Sequence, residues 1–134
     1  MLFRSTRSRP YHKNDNAHVE QKNYTHVRQL LGYDRLEDPH LVAAINDLYR
    51  NAWEPFHNFF RPCMKLVSKE RIGSRYRKRY DQPRTPYQRL LDSGHLTREQ
   101  EEQLRRRKQR LDPFDLKSKI EDKLAALRET RVAA

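Results

Sequence analysis

Two sets of residues have types and spacings that suit chemistry. The first is a run of cations. Arg61, Lys65, Lys69, Arg71, Arg75, Arg77, Lys78, Arg79, Arg84 and Arg89 are interleaved with Tyr76, Tyr80 and Tyr87. Cations displace counterions condensed on phosphates, and aromatic rings stack on exposed bases, so the pattern suits a nucleic-acid surface. The plainer alternative is a solvated basic loop without a specific partner. The second is a single carboxylate. On a helix advancing about 100° per residue, Ala17, Tyr24, Val27 and Leu31 share one apolar stripe, and Glu20 falls inside it. A carboxylate aimed at a core is costly unless something neutralises it. Glu20 can lie at the edge of the stripe, snorkel outward or pair with Lys22 or Arg28. It can also serve as a metal ligand or general acid–base on a rigid helix.

Other candidates are weaker. His12, His18, His26, His40, His57 and His95 are scattered. His18 and His26 stand eight apart on one helix, but there is no His-x-x-x-His pair and no cysteine partner for a zinc site. Cys63 is the single cysteine, which excludes an internal disulfide and fits a reducing, cytoplasmic compartment. It is expected to pack near Phe59 and Phe60. No helix-turn-helix or zinc-finger pattern is visible, so phosphate contact is expected ahead of base reading.

These residues sit on a chain of 134 residues with a formal net charge of +11. That charge suggests a polyanionic partner, most simply nucleic acid. It is unevenly placed: +1 over residues 1–60, +7 over 61–92 and +3 over 93–134. The apolar content of 35% is too low for a large core along the whole length. The longest purely apolar run is Leu41 to Ile45, far short of the ~20 residues that span a bilayer. The first ten residues hold three arginines with no apolar stretch behind them, which argues against a secretory signal. No membrane partner is expected.

The elements that must position the candidates can be read in order. Residues 3–11 read as a short strand stopped by Pro10. Asn14, Asp15 and Asn16 offer capping side chains for a helix from about Ala17 to Leu31, closed by Gly32. Asp38-Pro39 starts a second helix, whose stripe is Leu41, Val42, Ile45, Leu48, Tyr49, Ala52 and Trp53. Pro55 is expected to end it, before an aromatic knot of Phe56, Phe59, Phe60 and Pro62. Residues 63–92 lose helical periodicity and read as a loop-rich basic arm, with short extended pieces at Leu66-Val67 and Arg75 to Tyr80. Thr97-Arg98-Glu99-Gln100 is a capping box opening a charged helix to about Leu111. Its Arg105-Arg106-Arg107-Lys108 run offers further phosphate contacts. Asp112-Pro113 starts another helix, with Leu116, Ile120, Leu124 and Leu127 on one face, giving a helical hairpin or one kinked helix.

Residues 8–23, Ser-Arg-Pro-Tyr-His-Lys-Asn-Asp-Asn-Ala-His-Val-Glu-Gln-Lys-Asn, resemble the third catalytic block of bacterial DDE transposases. Those enzymes belong to the retroviral integrase superfamily and have a ribonuclease H-like core. The likeness continues through Val27 to Tyr33, through Asn58-Phe59-Phe60-Arg61-Pro62 and into Thr85-Pro86-Tyr87-Gln88-Arg89-Leu90-Leu91. By this resemblance Glu20 corresponds to the family's catalytic glutamate, a ligand of two Mg²⁺ ions, and Asn16 shapes the turn before it. The family needs two further aspartates upstream. Only 19 residues precede Glu20, and Asp15 alone among them is an aspartate. One carboxylate cannot hold a two-metal clamp, so no tightly bound Mg²⁺ and no activity of the chain alone are expected.

The expected fold class is therefore mainly α: an incomplete ribonuclease H-like remnant of a short strand and two helices (1–60), a basic loop-rich arm (61–92) and a charged helical pair (93–134). The first two helices would leave an apolar surface where the family's sheet is missing, implying marginal stability or self-association. The resemblance implies a fragment acting in DNA integration or transposition, with DNA and possible full-length transposase as partners. Two competitors stand beside it: a non-enzymatic inhibitor of transposase, and a small basic RNA- or ribosome-associated protein.

Overall fold

The computed structural model describes residues 9–33, 36 and 38–132. It is mainly helical, with one two-stranded antiparallel sheet. The chain forms two compact units, residues 1–37 and 38–134. The boundary lies well before residue 60, so the second helix belongs with the C-terminal helices.

In the first unit, helix α1 (residues 13–31) is one continuous run. It comprises a 3-10 turn (Lys13–Asn16), an α-helix (Ala17–Asn23), a π segment (Tyr24–Arg28) and a last α turn (Gln29–Leu31). Gly32 follows with φ 86°, a conformation that favours glycine, as the sequence indicates. The caps are used differently from expectation. Asn16 makes no side-chain capping bond. Asp15 instead accepts from the Arg9 backbone N–H at 3.2 Å and from its guanidinium at 2.9 and 3.0 Å. Residues 9–12 form a turn closed by the His12 amide on the Arg9 carbonyl, not a strand. The rest of the proposed strand lies outside the described residues.

In the second unit, helix α2 (residues 41–60) follows the Asp38 carboxylate, which accepts the His40 N–H at 2.8 Å. It runs through Pro55 rather than stopping there. A proline removes one N–H and crowds the preceding turn. The π segment Tyr49–Trp53 lies immediately before Glu54–Phe60, and its wider hydrogen-bond spacing absorbs the defect.

Strands β1 (Leu66–Ile72) and β2 (Arg75–Tyr80) form a hairpin where a loop-rich arm was expected. Helix α3 (Pro86–Leu91) follows, closed by a capping box between Thr85 and Gln88. Helix α4 (Arg98–Gln109) starts at the Thr97–Gln100 capping box read from the sequence. In helix α5 (Pro113–Val132), Asp112 accepts the Phe114 N–H at 2.8 Å.

The core lies where α2 meets α5 and α3. Leu41, Leu48, Ala52 and Phe59 of α2 are buried, with Tyr87 of α3 and Leu116, Ile120 and Leu127 of α5. The C-terminal helix therefore supplies three of these eight side chains, from the apolar face that the sequence marks. Burial of Leu48, fully enclosed, is worth about 1.5–3 kcal/mol. Leu41, Leu48 and Ala52 of the α2 stripe are thus covered without a further sheet, while Val42 stays exposed. Lys123 of α5 pairs with Asp47 of α2, with Asn51 donating to the same carboxylate at 2.6 Å. Lys123 and Asn51 hold the Asp47 carboxyl below its ordinary range. Among the described residues, no helix is long and apolar enough to cross a membrane.

Candidate nucleic-acid interface

The hairpin sorts the predicted cations onto two faces. Gly73, with φ 61°, occupies the first position of its two-residue loop, the place a type II′ turn gives to glycine. Cross-strand partners share a face, and side chains alternate along each strand. Arg75, Arg77 and Arg79 therefore lie on one face, opposite Ile72, Glu70 and Ser68. Their spacing along the strand is about 6.5–7 Å. The other face carries Tyr76, Lys78 and Tyr80, opposite Arg71, Lys69 and Leu66. The register shift between Leu66 and Ser68 is a bulge that keeps Leu66 across from Tyr80.

Every residue of both strands is exposed. Lys69 and Lys78 stand directly opposite each other, an arrangement that costs stability in an isolated hairpin. The Lys69 ammonium partly offsets this by lying over the Tyr76 ring, 4.2 Å from its centroid. A two-stranded hairpin with neither face covered is marginal by itself. This one is anchored at its base.

The anchor is built from residues expected to bind DNA. Arg89 donates to both oxygens of Asp81, at 2.6 and 3.1 Å, and to the Cys63 carbonyl at 2.8 Å. Asp81 also accepts the Lys65 N–H at 2.6 Å. Arg89, then the Lys65 amide, hold the Asp81 carboxyl down at about 2. Cys63 and Arg84 extend the ladder by two backbone bonds, at 3.0 and 3.2 Å. Cys63 is exposed there and does not pack into the aromatic knot.

The ten predicted cations thus divide. Arg84 pairs with Asp92 at 2.8 Å, and Arg89 is held by Asp81. Arg61 lies over the Trp53 ring, 5.8 Å from its centroid, and Arg71 donates to the Gly73 carbonyl at 3.1 Å. Lys65 lends its backbone to the anchor. Lys69 covers Tyr76 with an exposed ammonium. Among the described residues, Arg75, Arg77, Lys78 and Arg79 have no ion-pair partner, so their charges are available to a ligand.

The helical basic run is more fully engaged. Arg105 and Arg106 pair along α4 with Glu101 and Glu102. Arg107 reaches Glu54 at 3.3 Å and lies over Phe59, while Lys108 lies over Tyr87. Phe59 and Tyr87 touch with ring centroids 5.3 Å apart. These contacts dock α4 on α2 and α3 around a cleft of about 320 Å³ that Leu90 and Leu104 also line.

Glu20 is exposed on α1. Asp15, the nearest upstream acid, is engaged with Arg9. Among the described residues, no group of three or more His, Cys, Asp and Glu side chains converges. A single exposed carboxylate at Glu20, with Asp15 already engaged, does not fit a two-Mg²⁺ site.

Sequence reasoning missed helix α3, although Thr85-Pro86-Tyr87-Gln88 carries the start signal of a capping box with proline at the first helical position. It also missed the anchoring role of Asp81.

An uncharacterized protein of Sinorhizobium fredii, y4rM, is 49% identical to this chain over 81 residues. The match covers 60% of this chain and 23% of that protein, so the chain spans less than a quarter of its relative's length. No family model matches the chain, and no solved structure matches it.

Proposed function

We propose that this chain is a DNA-binding body that contacts phosphates through the 66–80 hairpin, within a protein of the DDE transposase type. The observation that carries the DNA contact is the hairpin itself. It projects Arg75, Arg77, Lys78 and Arg79 on an uncovered ribbon, with Lys69 set opposite Lys78. Juxtaposed like charges are stabilised by a polyanion, and each phosphate neutralised releases counterions.

The transposase reading rests on the resemblance of residues 8–23 and its continuation to Leu91. On this reading a chain carrying one acid of the set takes the rest of the catalytic core from elsewhere. The ribonuclease H-like origin of α1 and α2 belongs to the same proposal. In this role the chain binds DNA in the cytoplasm and does not cleave it alone.

The test is the salt dependence of duplex binding by the full chain. Converting Arg75, Arg77, Lys78 and Arg79 together to alanine is expected to flatten the slope of log K against log salt, by about 0.9 for each phosphate contact removed. An unchanged slope contradicts the assignment.

A further inference from the structure

We infer that the hairpin reads double-stranded DNA in the major groove, with its arginine face turned toward the base edges. This rests on the DNA contact proposed above and adds the form of DNA and the residues that select sequence.

The shape of the element is the first reason. The major groove, about 12 Å wide, admits a two-stranded ribbon, whereas the minor groove is about half that width. The 66–80 ribbon is exposed on both faces, with nothing packed against either. The second reason is the chemistry of the arginine face. Arg75, Arg77 and Arg79 present planar donor forks that match guanine O6 and N7, and Glu70 presents acceptors that match the cytosine amino group. This face mixes donors with an acceptor, as base edges require.

The opposite face suits the walls of the groove. Lys69 and Lys78 have flexible stems that reach the phosphate ridges bounding it.

The experiment is selection from a pool of random duplexes by the full chain, followed by affinity measurement on enriched and random duplexes. Wild type is expected to enrich a guanine-containing sequence. Arg77→Ala is expected to lower the preference for enriched over random duplex by roughly 5- to 150-fold. Val67→Ala, at the bulge of the same ribbon and outside its cross-strand pairs, is expected to leave that preference unchanged and shows that a change within the ribbon does not simply unfold it. The inference is overturned if no sequence is enriched, if Arg77→Ala weakens both duplexes equally, if Val67→Ala lowers the preference as much, or if single-stranded DNA or RNA of equal length binds more tightly than duplex. Where salt-dependent DNA binding persists in those outcomes, phosphate contact stands and base reading alone fails. Absence of any salt-dependent DNA binding overturns both.

Discussion

Arg89 grips Asp81 with two nitrogens, at 2.6 and 3.1 Å, and one of those nitrogens also reaches the Cys63 carbonyl at 2.8 Å. Asp81 lies just after β2, Cys63 shortly before β1, and Arg89 on helix α3. One guanidinium therefore ties both feet of the hairpin to a helix of the core. An arginine that reads in sequence as a phosphate contact sets the position of the ribbon that carries the others.

Asp81→Asn should loosen the hairpin without unfolding the unit. The amide cannot accept two charge-assisted bonds from Arg89 as the carboxylate does. Hydrogen exchange at the Lys65 and Asp81 amides is expected to quicken, while amides of α2 and α5 keep their protection. Unchanged exchange at the hairpin base would show that the clamp contributes nothing.

The same clamp should be acid-labile. Asp81 is held at about 2, below its ordinary 3.8, chiefly by Arg89. A carboxyl with a lowered folded pKa binds fewer protons when folded, so its stabilisation is full above about pH 4. It is lost as pH falls from about 4 through about 2. The carbon resonance of the Asp81 carboxyl, followed by NMR against pH, is expected to titrate near 2. A midpoint at the ordinary value would contradict the geometry.

Leu48→Ala should cost about 2–5 kcal/mol in denaturant unfolding of the full chain. Leu48 is completely enclosed in the core that α2 and α5 share. A loss below about 1 kcal/mol would mean that α2 does not pack as described. The intact α2–α5 core also replaces the expectation of an uncovered second-helix stripe.

Glu20→Gln should leave melting temperature and duplex affinity unchanged, because Glu20 is exposed on α1. Neither wild type nor variant is expected to nick DNA in Mg²⁺ or Mn²⁺. Cleavage by wild type that vanishes in the variant would overturn the view that this chain needs acids from elsewhere.

What could be read from sequence was what is decided locally. Thr97 with Gln100, Asp112 before Pro113 and Gly32 after Leu31 mark element ends through bonds within a few residues. The face of Leu116, Ile120 and Leu127 was legible because those side chains are buried at helical spacing. The sequence marks Arg75 to Tyr80 as extended, with the bounds of β2, and the start of β1 at Leu66-Val67; the rest of β1 and the pairing were hidden for the converse reason. Neither face of Leu66–Ile72 or Arg75–Tyr80 is buried, so no burial pattern marks the hairpin, and Gly73 alone hints at the turn. Pro55 misled because a π segment lets α2 pass it. The partners of Arg84 and Arg89 were invisible because each carboxylate lies eight residues away across a change of element.

The most direct measurement is lysine reactivity by mass spectrometry, with and without saturating duplex DNA. Lys69 and Lys78 of the hairpin should become protected, while Lys117 and Lys119 on helix α5 stay as reactive as before. Unchanged reactivity of Lys69 and Lys78 in a saturated complex would contradict DNA contact through the hairpin.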